Sequence, residues 1–228
     1  MKKLLISTLL MSAFGVAGAP AFAAGTDQAP VHVYGHIEPE GCDVQIADDG
    51  VFDYGAMTAA GNSLSATAIT SLSAKTNRVT VSCKANAKIQ LSLSDNAAGT
   101  VLAGTNGLLG ETATTTNRYG LGLDDKGAQI GAYAISLTPT SVTDLAGASV
   151  AGTLLTSPDG TVWTAASALN APTTFKTDTL MSWGTAPAPA ALQIFVGDLK
   201  VQAALAPQQS LAKDYDLNGS AILTVKVI

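Results

Sequence analysis

Histidine is almost absent from this 228-residue chain. His32 and His36 are the two that exist, so a Ser-His-Asp or Cys-His hydrolase would find no base elsewhere in the body of the protein. Basic residues are scarce too: 12 Lys and Arg face 17 Asp and Glu, and the net charge of -5 argues against nucleic acid as a partner. Cysteine is limited to Cys42 and Cys83, whose separation of 41 residues is far too long for a redox Cys-x-x-Cys or a zinc knuckle. Beyond the N-terminal segment, no apolar run approaches the ~18 unbroken residues that a membrane-spanning helix needs. Neither a Gly-x-Ser-x-Gly elbow nor a Walker loop occurs. The chain is therefore expected not to be an enzyme, and no cofactor or metal is expected.

At the N-terminus, Lys2 and Lys3 precede an apolar run from Leu4 to about Ala19, and Ala21-Phe22-Ala23 gives a small-x-small cleavage pattern. This predicts a secretion signal over residues 1–23. The rival reading is a membrane anchor, but the apolar core is short and Gly15, Gly18 and Pro20 interrupt its end. Cleavage would leave 205 residues at a net charge of -7, an exported protein with no membrane insertion thereafter. That length suits one large domain. With 22 Gly, 13% charged residues and abundant Thr, Ser, Val and Ala, the composition fits an all-β secreted protein.

The mature chain would open on a strand. Val31, Val33, Gly35 and Ile37 recur at every second position, which gives one apolar face and leaves His32, Tyr34, His36 and Glu38 on the other. Pro39-Glu40-Gly41 separates this segment from the rest of the chain, so residues 24–38 form an extension and 39–228 the domain. An apolar strand outside the body of its own domain is suited to being given to a partner. In an oxidising compartment, two cysteines are expected to pair. A Cys42–Cys83 bond would close a loop of about 40 residues and stabilise the fold by roughly 3 to 4 kcal/mol in the chain-entropy model.

Further along, Cys42 to Ile46 alternates, Asp48-Asp49-Gly50 turns, and Val51 to Gly55 resumes as a strand. Asn77 to Cys83 and Lys88 to Leu93 come next as clean strands. Residues 95–118 suggest a long surface loop with a short strand around Leu108. Tyr119 to Leu123 and Ala132 to Leu137 pair around Asp124-Asp125-Lys126-Gly127, and Ser157-Pro158-Asp159-Gly160 turns between Val150 to Thr156 and Thr161 to Ala165. Leu180 to Trp183, Ala191 to Val201 and Ala221 to Val227 complete the strands, with Ala186 to Ala190 as a linker. Many short strands at this spacing predict a β-sandwich. The last strand alternates to the chain end, which predicts a central place in its sheet.

These residues resemble the pilins of chaperone–usher fimbriae. The segment VHVYGHIEPEGC (Val31 to Cys42) is similar to the start of type 1 pilins: an alternating apolar strand, a glycine seven positions before the first cysteine, and a second cysteine about 40 residues on. FDYGAM (Phe52 to Met57), NRVTVSC (Asn77 to Cys83) and NRYGLGL (Asn117 to Leu123) look more like a group of fimbria-related exported proteins. The penultimate Val227 and Tyr215 depart from the aromatic and the glycine common there in pilins. The resemblance implies an incomplete immunoglobulin-like sandwich whose missing strand leaves an apolar groove. A periplasmic chaperone would fill the groove first, and at an outer-membrane usher the N-terminal strand of a neighbouring pilin subunit would replace it. Val31, Val33 and Ile37 would then insert into the neighbour, with Gly35 where the groove is shallow. The acceptor side would be lined by Ala221, Leu223, Val225 and Val227. The expected function is that of a structural or minor fimbrial subunit that polymerises by donor-strand exchange and contributes to adhesion at the cell surface. The alternative is a non-polymerising exported adhesin or periplasmic carbohydrate-binding sandwich.

Three other constellations point elsewhere at first sight. His32, His36, Glu38 and Glu40 could suggest zinc, but strand residues four apart lie about 13 Å from each other. Asp48-Asp49-Gly50 and Asp124-Asp125-Lys126-Gly127 lack the spacing of an EF-hand loop and are expected to be turns. Trp163, Trp183, Tyr119 and Tyr133 could form a sugar-stacking surface, but core packing is the expected role.

Overall fold

The computed structural model describes residues 41–57, 64–166, 171–207 and 216–228, all within one compact unit, Pro39–Ile228. The proposed signal and the donor-like strand with Val31, Val33, Gly35 and Ile37 lie outside the described residues. In chain order the strands are β1 (Cys42–Ile46), β2 (Thr70–Ser71), β3 (Lys75–Ala87), β4 (Ile89–Asp95), β5 (Tyr119–Gly120), β6 (Gly131–Thr143) and β7 (Thr153–Ser157). They continue with β8 (Thr164–Ala165), β9 (Thr173–Thr174), β10 (Leu180–Thr185), β11 (Ala188–Pro189), β12 (Leu192–Leu205) and β13 (Ala221–Val227). One sheet runs β1-β3-β12-β6-β5, with β2 beside β12 and β9 beside β6; the other runs β13-β4-β10-β7-β8, with β11 beside β10. Neither closes into a barrel, and the two antiparallel sheets make a β-sandwich.

Alternation explains which faces meet. Val79, Val81 and Cys83 of β3 and Ile89, Leu91 and Leu93 of β4 are all buried and belong to one core with Phe195, Leu199 and Val201 of β12 and Trp183 of β10. Intervening polar side chains point outward, as a half-buried strand requires. β6 departs from this rule, because every residue from Gly131 to Leu137 is buried. Its outer face is covered by the chain between β4 and β5, where Leu108 packs on the small Ala134 and Ala204. Arg118 pins this covering loop: its guanidinium, 2% exposed, donates to the backbone carbonyls of Thr105 (3.0 Å), Asn117 (2.9 Å) and Glu111 (2.8 Å).

Cys42 and Cys83 form the expected disulfide, with Cα atoms 4.0 Å apart. They are direct partners in the β1–β3 register. The aspartate clusters are turns: Asp48, Asp49 and Gly50 all take positive φ, and an Asp124 carboxylate oxygen accepts the Lys126 and Ala128 amides. All four named aromatics are core residues, and each indole N–H donates to a backbone carbonyl, Trp163 to Gly160 and Trp183 to Val150.

Several expectations are corrected. Val51 to Gly55 is not a strand, because no neighbouring strand among the described residues offers it a ladder; Phe52, Tyr54 and Met57 pack on the core by side chains alone. The chain around Leu108 is a 3-10 turn, Leu108–Gly110, and the 95–118 segment is partly interior, since Leu108, Thr105, Asn117 and Arg118 are buried. Ala186 to Ala190 is a tight hairpin closing β10 onto β11. The hairpin at Ser157-Pro158-Asp159-Gly160 joins β7 to β8 antiparallel as expected, but its strands are shorter than read: β7 starts at Thr153 and β8 is only Thr164–Ala165, paired to Thr156 and Leu155. The terminal strand is not central: β13 pairs with β4 and forms the edge of its sheet.

Candidate functional site: an open seam between the sheets

The edge position of β13 creates the most distinctive surface of the molecule. The Asn96 amide bonds to the Ser220 carbonyl, and the Ile228 amide to that of Lys88. In an antiparallel ladder, alternate residues point their backbone groups to opposite sides. The even-numbered residues of β13 therefore bond to β4, and the N–H and C=O of Ala221, Leu223, Val225 and Val227 point to the open edge. No strand pairs with that edge among the described residues.

The side chains of the same four residues face inward but are only half-buried, in strict alternation with exposed Ile222, Thr224 and Lys226. Across the seam, β1 shows the same defect. Val44 shares a face with its register partner Val81, yet Val44 is 38% exposed while Val81 is 0%. Both flanking strands thus present apolar side chains to a gap in the sandwich.

The gap widens into a cavity of about 780 Å³, room for roughly two dozen waters at ~30 Å³ each. Its floor is Leu199, Val201 and Ala203 of β12 with Tyr133 and Ile135 of β6. Leu93, Ala221 and Leu223 wall one side, and Ile46 with the segment from Gly50 to Met57 walls the other. Leu217 and Gly219 close one end. Gly219 passes so close to Tyr133 that an added Cβ would lie 2.7 Å from a ring carbon, so the chain can cross there only without a side chain. Of the expected acceptor residues, Ala221 and Leu223 line the cavity, while Val225 and Val227 continue the same half-buried face beyond it.

The segment Val51–Met57 is fixed by side chains. Asn77 Nδ2 donates to the carbonyls of Ala47 (3.2 Å) and Val51 (2.9 Å). The Tyr54 hydroxyl donates to the Val201 carbonyl at 3.3 Å, and Lys75 Nζ lies 5.5 Å from the Tyr54 ring centroid. Burial raises the Tyr54 pKa, with a backbone bond near Ala203 opposing. Past the Val51 amide, which closes a turn onto Asp48, the Gly55 amide meets the Asp53 side chain. No other backbone bond ties the segment to the sheets among the described residues.

Tyr133 sits beside Tyr119, ring centroids 5.4 Å apart. Burial raises both phenols well above their ordinary pKa, and the nearby Asp95 adds to it. The Tyr119 hydroxyl is buried without a hydrogen-bond partner. The site combines aliphatic side chains, neutral phenols, the carboxylates of Asp53 and Asp216, and an unpaired strand edge.

Sequence reasoning named β13, weighed Tyr133 only as a sugar-stacking or core aromatic, and missed Ile46, Leu121, Ile135 and the Leu199–Ala203 floor. Their alternation marks them as one inward face, but that the face borders a gap is a property of strand order. No helix among the described residues is long and apolar enough to cross a membrane. Residues 31–134, somewhat less than half of the chain, match the model of a family described as a protein of unknown function (DUF1120). The match begins at Val31 and includes both cysteines, β3, β4 and the Val51–Met57 segment. A comparison with curated proteins gives no match.

Proposed function

We propose that this protein is an exported structural or minor subunit of a bacterial fimbria, polymerising by donor-strand exchange and contributing to cell adhesion. The observation that carries this reading is the unpaired edge of β13 running beside a cavity floored by aliphatic side chains, with Asp53 and Asp216 at its lining. An isolated sandwich gains nothing from leaving eight backbone groups and a row of aliphatic side chains open, since a bare edge invites aggregation. A complementary strand removes both defects.

The segment from Val31 to Ile37 has the required form. It spans seven residues, as β13 does, with apolar side chains at every second position. Burying Val31, Val33 and Ile37 would contribute about 1.5 to 3 kcal/mol each before the entropy of association is subtracted. Gly35 would sit where the groove leaves no room for a side chain. The neighbouring pilin subunit is then the lasting partner, a periplasmic chaperone the transient one, and an outer-membrane usher the assembly site. The signal over residues 1–23 and the disulfide agree with passage through an oxidising compartment. The role is non-catalytic.

The cavity also has the size of a small-molecule pocket, which keeps the non-polymerising exported adhesin or carbohydrate-binding module as a second reading. Size-exclusion of the mature protein with and without residues 24–38 separates the two. Donor-strand exchange predicts oligomers that disappear on removing the segment, and that disappear equally in Gly35→Leu with the subunit still folded. Identical elution of all three proteins would favour the binding module.

A further inference from the structure

The segment that walls the cavity opposite β13 is built differently from the strands that form its floor and its other long wall. Phe52 and Tyr54 alternate inward and are half-buried on the core, as strand residues would be, but the backbone between them makes no ladder with any described strand. Its anchors are the Tyr54 hydroxyl on Val201, the Lys75 ammonium over the Tyr54 ring, and the Asn77 amide at the start. Left-handed residues flank its Val51–Tyr54 part: Asp48, Asp49 and Gly50 (φ 54°, 52° and 76°) before it, and Gly55 (φ 68°) directly after it. Those positions let the chain change direction without breaking regular structure.

We propose that Val51–Tyr54 is a displaceable cover, latched by Tyr54, that shields the apolar floor while the cavity is empty and swings outward about Gly50 and Gly55 to admit an occupant. That the occupant is an extended strand rests on the donor-strand reading; the cover itself does not. A segment held by a few side-chain contacts, outside any ladder, belongs to the low end of local stability. Opening it exposes Leu199, Val201 and Ala203 without disturbing any strand pairing. The latch chemistry is mild: a neutral hydrogen bond to one carbonyl and one exposed cation–π contact.

The test uses the mature chain, purified as a monomer, with the variants Tyr54→Phe and Lys75→Gln. The first removes the hydroxyl and keeps the ring, and the second removes the cation, so neither leaves a hole in the core. In one arm the probe is bis-ANS, a dye that fluoresces in apolar cavities, followed by stopped flow. Loss of a bond worth about 1 kcal/mol predicts association roughly five-fold faster in Tyr54→Phe, with a smaller acceleration in Lys75→Gln. Unchanged or slower dye entry in both variants overturns the cover. In the second arm the probe is a synthetic peptide of residues 28–38. Faster peptide association in the variants supports the cover and the donor-strand reading together. Faster dye entry with no peptide binding to any of the proteins supports the cover and overturns the donor strand as its occupant.

Discussion

On the proposed donor-strand reading, Leu223→Asp separates the stability of the empty protein from the binding of a strand. Leu223 lines the cavity and is half-buried, so a carboxylate placed there in the empty subunit keeps contact with water. The loss is about half the burial of one leucine, on the order of 1 to 2 kcal/mol. For a domain of this size that lowers Tm by roughly 2 to 8 °C. Once a strand closes the seam, the same carboxylate is sealed among Leu93, Val201 and Leu199, with no cation among the described residues lining the cavity to pair with it. The penalty for an unpaired buried charge is then at least about 3 kcal/mol, which weakens strand binding more than 100-fold. The assay is isothermal titration of the monomer with a peptide of residues 28–38, alongside thermal unfolding by circular dichroism. Thr224→Asp, one residue along on the exposed outer face, should leave both measurements nearly unchanged. A folded Leu223→Asp protein that binds the peptide within ten-fold of the parent would refute the reasoning.

Replacing both Cys42 and Cys83 with Ala should lower stability by roughly 3 to 4 kcal/mol in denaturant titration, as expected for a loop of this length, with a loss under about 1 kcal/mol counting against it. Arg118→Met strips three carbonyls of their donor, two of them on the buried Thr105 and Asn117; a destabilisation of about 3 to 5 kcal/mol is expected, and amides between residues 105 and 117 should lose exchange protection first. Arg118→Lys should recover only part of this, because a single ammonium does not reproduce the guanidinium's planar fork.

The sandwich was legible because its signal is local. Val79-Thr80-Val81 and Ile89-Gln90-Leu91 carry their facing in a period of two, and Asp124 to Gly127 carries its turn in residue chemistry. The disulfide was legible from parity. Val51 to Gly55 misled for the complementary reason: its alternation correctly placed Phe52 and Tyr54 inward, but whether an extended segment becomes a strand depends on a neighbour supplying a ladder. β13 misled in the same way. An apolar alternating terminus signals burial of one face, and it carries no information on how many of its edges are paired. The buried Arg118 had no sequence signal at all, since a lone arginine in a polar loop is ordinarily solvated. The cavity floor on β6 and β12 was visible as core and became a site only through the order of the strands.

The unpaired amides of β13 allow the central claim to be measured directly by residue-resolved hydrogen exchange. In the isolated subunit, the amides of Ile222, Thr224 and Lys226 face β4 and should be protected, while those of Leu223, Val225 and Val227 face the open edge and should exchange rapidly. Insertion of a strand bonds the second set. Donor-strand exchange therefore predicts that, on assembly or on adding the residue 28–38 peptide, the odd-numbered amides slow by at least about 100-fold while the even-numbered ones change little. If the assembled or peptide-bound protein leaves Leu223, Val225 and Val227 exchanging as fast as before, no strand has been added to β13 and the account is contradicted.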